Sequence, residues 1–160
     1  MELSAAFDAI DHDILLCRLE LNFGFDGVVL SWFRSYLRGR QQIVVVRGFR
    51  SAPSLVEYGV PQVSLLGPIL FVLHMTPLDD IVSRHSVDHH AFADDTQLER
   101  SCAPDLVQST VRGKEECVSE VKLWMTDNKL HLNDGKWRQC SLLLGMHLLQ
   151  IQCHLGFVEV

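Results

Sequence analysis

Two adjacent aspartates, Asp94 and Asp95, are the residues of this sequence best suited to carry chemistry. They follow His-Ala-Phe-Ala and precede Thr-Gln-Leu, a pattern typical of two β-strands joined by a tight turn. Adjacent carboxylates repel each other unless a positive charge neutralises them. Mg²⁺ binds carboxylate oxygens and keeps positions open for phosphate oxygens. The pair therefore favours a divalent-cation site, although most Asp-Asp pairs are solvated turns, as we expect for Asp79-Asp80.

Four segments around this pair share the motifs of one enzyme family. They are ELSAAFD at residues 2–8 with Ile10-Asp11-His12 after it, YGVPQVSLLGP at 58–68, FADDTQL at 92–98, and residues 124–136 with Trp124-Met125, Leu130, Leu132, Asn133 and Lys136. In this order and at this spacing they resemble the four palm motifs of reverse transcriptases from non-LTR retrotransposons (long interspersed elements). The resemblance covers roughly residues 2 to 136.

This resemblance implies a polymerase palm, an antiparallel sheet backed by helices that adds deoxynucleotides to a DNA primer on an RNA template. In such enzymes two Mg²⁺ ions about 3.5–4 Å apart activate the attacking oxygen and stabilise the leaving one. The metal ligands of the family correspond to Glu2, Asp94 and Asp95 in this sequence.

The other matched positions would bind substrate. Phe7 would lie under the incoming sugar and exclude a 2′-hydroxyl, although a simple core side chain is the alternative. Gln62 would contact the nucleotide and the template, and Ser64 lies in the loop that would shape the nucleotide pocket. Lys136 would support the departing pyrophosphate by charge or by donating a proton.

Three substitutions depart from the family pattern. Glu2 replaces an aspartate, and its extra methylene shifts the carboxylate by about an ångström, which can lower a rate about 10²-fold. Val63 replaces a glycine that lets the backbone approach the substrate, and Trp137 replaces a small hydroxyl residue. Glu2 also lies at the very start of the chain, and no residues correspond to most of the fingers and thumb. We therefore expect a truncated domain with impaired or absent polymerase activity; the alternatives are a non-catalytic remnant that binds nucleic acid or protein, and a decayed reading frame.

The charge distribution bears on nucleic-acid binding. With 14 basic and 20 acidic residues, the net charge of −6 by itself argues against a nucleic-acid partner. The segment 27–56, however, holds five arginines and no acid. All five, namely Arg34, Arg38, Arg40, Arg47 and Arg50, could contact a nucleic-acid backbone, and Arg34, Arg38 and Arg40 are the leading candidates. The alternative is a solvated helix face followed by a hairpin.

The apolar spacing predicts an α+β fold, with short strands mostly in hairpins and helices over one face. Helices are expected from Asp11 to about Asn22, over 27–37, 69–75 and 78–82, and from Pro104 to about Asn128. The spacing of the second helix predicts that Val29, Leu30, Phe33 and Leu37 face inward. That of the last predicts an apolar face formed by Val107, Val111, Cys117, Val121, Trp124 and Met125. Strands are expected over 41–46, with a turn at Arg47-Gly48 and a return at 55–58, around the Asp-Asp pair, and over 130–132 and 141–144. Residues 1–145 are assigned to one palm fragment, and residues 146–160 form a tail without assignment.

The remaining features exclude several other classes of protein. Five scattered cysteines without a C-x-x-C pair predict reduced thiols and an intracellular protein, cytoplasmic or nuclear. The longest apolar stretch, residues 65–73, is too short to span a membrane, and no signal peptide is visible. His85, His89 and His90, with Asp88 nearby, suggest zinc, but no thiolate joins them and we disfavour that site. The oligomeric state is left open.

Overall fold

A computed structural model of the chain describes residues 7–61, 64–92, 95–130, 138–145 and 148–155. The chain divides into two compact units, of which the first is Phe7–His74 and the second includes the chain from Met75 onward. Helices and small antiparallel sheets are mixed along the sequence, which confirms the predicted α+β class.

The first unit begins with two helices that form where the sequence predicts them. Helix α1 (His12–Leu21) starts at Asp11, whose carboxylate accepts hydrogen bonds from the backbone N–H groups of Asp13 and Ile14. Its residues Leu15 and Leu19 are fully buried. Helix α2 (Gly27–Leu37) has the predicted bounds. Leu30 and Leu37 face the core as expected, whereas Val29 is 51% exposed, contrary to the prediction.

A narrow β-ribbon follows α2. Strand β1 (Gln41–Gln42) pairs with β4 (Ser54–Leu55), and β2 (Val45–Val46) pairs with β3 (Phe49–Arg50). The prediction of one strand over 41–46 with a return at 55–58 was therefore wrong. All eight ribbon residues are exposed, so no buried face holds the two strands in one continuous ladder. The predicted turn at Arg47-Gly48 is present, with φ angles of 49° and 86°, as a type I′ turn requires.

Helix α3 (Leu66–Met75) completes the first unit. It starts three residues before the predicted position, because Pro68 lies in its first turn, where the helix requires no backbone N–H donor. Leu70 and Phe71 of α3 are buried.

The second unit combines two helices with a four-stranded sheet. Helix α4 (Pro77–Arg84) precedes β5 (Asp88–Phe92) and β6 (Asp95–Cys102), and a 3₁₀ turn (Pro104–Leu106) leads into α5 (Val107–Asp127). Strands β7 (Arg138–Gly145) and β8 (Leu148–Leu155) complete an antiparallel sheet in the order β5-β6-β8-β7. Helix α5 packs against α4 and β6, and buries the predicted residues Cys117, Val121 and Met125.

Of the two C-terminal strands, one forms where the sequence predicts a strand and the other forms in the tail without assignment. Strand β7 includes the predicted residues 141–144 and begins three residues before them. Leu130 is buried but lies in no strand, and the rest of the predicted strand 130–132 falls outside the described residues. Strand β8, within the stretch that the sequence left unassigned, lies between β6 and β7.

The helical stretch Leu66–Arg84 is 19 residues long and has a mean hydropathy of 1.2, so by length and composition alone it could cross a membrane. This stretch is longer than residues 65–73, the apolar stretch on which the sequence prediction rests. Core helices of soluble proteins pass the same test, and five apolar residues of this stretch are buried within the fold, namely Leu70, Phe71, Leu78, Ile81 and Val82. The stretch is weak grounds for a membrane span.

Candidate functional site

The acidic pair lies at the connection between two paired strands. Strands β5 and β6 run antiparallel, and their last paired residues are Phe92 and Asp95, which leaves two residues of chain between the strands. The two predicted strands are therefore present and paired, whereas residues 93 and 94, where the tight turn is predicted, lie outside the described residues. The backbone of Asp95 begins β6, whereas Asp94 lies outside the described residues. The same holds for three other predicted site residues, Glu2, Gln62 and Lys136, whose roles stay predictions.

A buried lysine anchors the strand that starts at Asp95. The Lys114 side chain is 1% exposed, and its Nζ donates a hydrogen bond of 2.7 Å to the carbonyl oxygen of Leu98. Arg100, farther along β6, donates to the carbonyl oxygen of His85 at 3.1 Å. Two cations thus tie β6 to α5 and to the end of α4. Sequence reasoning missed Lys114, although it lies three and seven residues before the buried Cys117 and Val121, on the face that α5 buries.

Phe7, the predicted sugar-contacting residue, packs against the core of the first unit. Its ring lies 4.6 Å from that of Phe71, centroid to centroid, at an interplanar angle of 31°. Phe71 is 2% exposed, whereas Phe7 is half-buried. One face of Phe7 is therefore used for packing, and its contact with a sugar stays a prediction.

The segment of Phe7 lies directly beside the start of the second motif. The backbone N–H of Gly59 donates to Ile10 at 2.8 Å, and that of Val60 donates to Phe7 at 2.9 Å. The approach is close: a Cβ at Gly59 would lie 2.7 Å from the Cα of Asp8. Gly59 also has a φ of +79°, a conformation that side-chain-bearing residues rarely adopt. The structure thus brings the first and second motifs together, with glycine required at the contact.

Two side chains donate hydrogen bonds to the backbone at this junction. The Nε2 of His12 lies 2.8 Å from the carbonyl oxygen of Gly59; because a carbonyl only accepts, Nε2 carries the proton. Arg40 donates from its guanidinium to the same oxygen at 3.0 Å and to that of Tyr58 at 3.4 Å. The Nε of Arg40 is buried and has no hydrogen-bond partner among the described residues.

A polar cavity adjoins the junction. It has a volume of about 660 Å³ and is lined by residues that include Asp8, Arg40, Gln41, Glu57 and Tyr58. Its walls come from the end of the first motif, the base of the ribbon and the start of the second motif. The cavity contains both acidic and basic groups, so its charge does not select for one sign of ligand.

Ser64, a predicted substrate contact, lies at the start of α3. Its hydroxyl donates to the carbonyl oxygen of Pro61 at 2.7 Å and accepts from the backbone N–H of Gly67 at 2.9 Å. This is the bonding of a residue that caps a helix. Ser64 thus shapes the loop between the second motif and α3, and its contact with substrate stays a prediction.

The three arginines predicted to contact nucleic acid have different surroundings. Arg34 is exposed on α2, and Arg38 forms an exposed ion pair with Asp13. Arg40, half-buried, is bonded to the backbone as described above. The structure therefore gives Arg40 an internal role that competes with binding a phosphate.

Two histidines of the disfavoured zinc hypothesis each pair with a different acid. The Nε2 of His85 lies 2.7 Å from a carboxylate oxygen of Glu120, and the Nε2 of His89 lies 2.7 Å from one of Asp79. Hydrogen bonds from His85 and Arg84 lower the pKa of Glu120. Within the part of the chain that the structure describes, no group of three or more His, Cys, Asp or Glu residues is placed to hold a metal ion.

A buried histidine has the most strongly shifted ionisation among the described groups with a resolved shift. His74 on α3 is fully buried, and its Nδ1 lies 3.2 Å from the guanidinium of Arg18, which also donates to the His74 carbonyl oxygen. Burial, and to a lesser degree the charge of Arg18, lowers the pKa of His74 to about 3. The ring is therefore neutral at pH 7 and serves packing.

Comparison with known proteins connects these features. A profile of the family described as reverse transcriptase (RNA-dependent DNA polymerase) matches residues 1–153, a range that contains all four predicted motifs and most of β8. A probable RNA-directed DNA polymerase from transposon BS of Drosophila melanogaster is 29% identical over 143 residues. The aligned region is 85% of this chain and 15% of that protein, so the chain spans a small part of its relative.

Proposed function

Because the chain belongs to the reverse transcriptase family, we propose that it carries the nucleotidyl-transfer site of a retrotransposon polymerase, in a form that its own substitutions impair. The β5–β6 hairpin carries this proposal: it lies within the family match, and the acidic pair falls at the connection between its strands. The reaction proposed is the addition of deoxynucleotides to a DNA primer on an RNA template.

The family generally uses divalent metal ions, and the residues proposed as ligands suit Mg²⁺. Glu2, Asp94 and Asp95 offer only carboxylate oxygens, the donors that this hard cation prefers. When bound, the ions supply positive charge next to the attacking and leaving oxygens. The protein's share of the work is to hold the carboxylates in place, and the anchoring of β6 by Lys114 serves this end for Asp95.

The proposed substrate contacts follow the junction of the first two motifs. The ring of Phe7 would exclude a sugar 2′-hydroxyl, which fits its position beside Gly59 and Val60. Gln62 and Ser64 follow in the sequence as proposed substrate contacts, and Ser64 bonds to Pro61 and Gly67. Lys136 would neutralise charge on the departing pyrophosphate.

Impairment is proposed from two residues in these motifs. At Glu2 the longer side chain displaces the carboxylate, and a displacement of about 1 Å can cost about 10²-fold in rate. At Val63 a β-branched side chain stands where the family has glycine, which would crowd a bound nucleotide.

Primer extension on an RNA template with Mg²⁺ tests the proposal. We expect weak or no extension by the natural chain and a gain of about 10²-fold or more in Glu2→Asp/Val63→Gly. Adding Asp94→Asn to that double variant should abolish the gain. Mn²⁺ binding, followed by electron paramagnetic resonance, provides a readout that needs no template: it should weaken in Asp94→Asn and stay unchanged in the control Asp80→Asn.

Two results would contradict the proposal. Efficient extension by the natural chain that Asp94→Asn abolishes would show that the site is intact and refute the impairment. If Mn²⁺ binding were equal in the natural chain and in Asp94→Asn, the acidic pair would not be a metal site.

A further inference from the structure

The outer part of the ribbon, residues 43–51, is an exposed hairpin whose two faces carry different side chains. Val46 lies directly opposite Phe49, and Val45 lies opposite Arg50. Since opposed residues of an antiparallel pair share a face, Phe49 and Val46 lie on one face and Arg50 lies on the other. Arg47 occupies the turn, next to Gly48.

The face that carries Phe49 and Val46 is unusual for a folded domain, because its apolar side chains are exposed. Phe49 is 81% exposed and Val46 is 60% exposed, so the aromatic ring adds little to the packing of the fold. A large exposed aromatic side chain at the end of a β-ribbon offers a flat surface on which a base or another ring can stack.

The segment that carries the ring is basic. The segment 27–56 contains five arginines and no acid, in a chain whose net charge is −6. Arg38 and Arg40 are engaged with Asp13 and with backbone carbonyl oxygens, respectively. Arg47 and Arg50 are exposed and form no ion pair with another described residue, so both can bind an anionic partner.

We propose that this hairpin binds single-stranded nucleic acid, with a base stacked on Phe49 on one face and the flanking phosphates bound by Arg47 at the turn and by Arg50 on the other face. Stacking on an exposed ring requires an unpaired base, whereas the arginines supply attraction to the backbone that is independent of sequence. The inference rests on the proposed function in one respect, that a polymerase of this family handles a nucleic-acid strand. It narrows the sequence prediction, which included all five arginines of the segment, to Arg47 and Arg50, and it adds Phe49 as the stacking surface.

Fluorescence anisotropy with the complete 160-residue chain tests the inference. The probes are fluorescein-labelled oligo(U) RNA and oligo(dT), measured in EDTA at low salt, so that binding is separated from metal-dependent chemistry. We expect Phe49→Ala to weaken binding about 5- to 100-fold and Phe49→Tyr to restore it, because tyrosine keeps the stacking surface. Arg47→Gln/Arg50→Gln should lower the slope of log K against log salt by about 1.4, or about 0.7 for each charge removed.

A control variant separates the hairpin from general effects. Arg112→Gln removes an exposed charge from α5 and should leave both affinity and salt slope unchanged. Because binding is measured in EDTA, it requires no bound metal ion, so a chain without polymerase activity still tests the hairpin. Since Phe49, Arg47 and Arg50 are exposed, far-UV circular dichroism should show all variants folded.

Three outcomes would overturn the inference. Affinity that is the same in Phe49→Ala and in the natural chain would exclude stacking on that ring, and absence of binding to both oligonucleotides at low salt would exclude the partner. Concentration-dependent dimerisation in sedimentation, abolished by Phe49→Ala, would show that a second copy of the chain covers the hairpin instead.

Discussion

Replacing Gly59 with alanine tests the junction between the first and second motifs. Gly59 has a φ of +79°, and a Cβ there would lie 2.7 Å from the Cα of Asp8 and 2.9 Å from its carbonyl oxygen. Both neighbours are backbone atoms, so no flexible side chain can move aside. The substitution must therefore shift the segment of Phe7 and Asp8, or the backbone of Gly59 itself.

Comparison with Gly39 separates the two costs of this substitution. Gly39 has a similar φ of +72°, but a Cβ there would meet no described atom within 4 Å. Gly39→Ala should thus cost only the conformational term, about 1–2 kcal/mol. At Gly59 the steric overlap adds about 1–3 kcal/mol, which gives about 2–5 kcal/mol in total.

Urea unfolding followed by circular dichroism measures both variants. Hydrogen exchange at the backbone N–H of Val60, which donates to Phe7 at 2.9 Å, reports on the junction itself. We expect faster exchange there in Gly59→Ala and little change in Gly39→Ala. Equal losses of stability in the two variants would refute the reasoning, because the close approach at Gly59 would then contribute nothing.

Three further predictions concern buried polar groups. The pKa of His74, about 3 when folded, lies below its ordinary value of 6.5, so the unfolded state binds a proton that the folded state does not. The free energy of unfolding should therefore be highest above pH 6.5 and fall by up to about 1.4 kcal/mol per pH unit toward pH 3. Urea titrations at several pH values measure this slope, which should be smaller in His74→Gln. Arg40→Met should lower the free energy of unfolding by about 1–3 kcal/mol, because it leaves the Gly59 carbonyl with one hydrogen-bond donor fewer. An unchanged free energy in urea unfolding would contradict the role of Arg40 as a donor to the backbone. Lys114→Ala should lower the free energy of unfolding by about 2–4 kcal/mol, because it removes the bond to Leu98 and leaves a cavity. An unchanged stability in thermal unfolding would show that β6 does not depend on this lysine.

The helices were predictable because their signals are local. Asp11 caps α1 through its own carboxylate, and α2 has the bounds that its apolar spacing predicts. The ribbon was mispredicted because β-branched residues favour strands without specifying how long a pairing continues. Its division into two short pairs depends on the absence of a buried face, which sequence spacing does not reveal.

The candidate site was predictable only in part. The order of the four motifs identified the acidic pair and its hairpin, since both follow from short contiguous segments. The role of Arg40 as a donor to Gly59 was not predictable, because it depends on an oxygen that the fold brings near from 19 positions away. The Ser64 cap is different: its partners Pro61 and Gly67 are each three residues away, so sequence reasoning missed a local signal.

The sequence by itself determined the family, the acidic pair as the candidate metal site, and the concentration of arginines in residues 27–56. Only the tertiary structure decided which of those arginines are already engaged within the chain, because Arg38 and Arg40 bond to groups distant in sequence. It also decided that β8 lies between β6 and β7. Both outcomes have the same physical reason. Helix caps and turns are set by neighbouring residues in the sequence, whereas burial and strand pairing depend on which groups the folded chain brings next to each other.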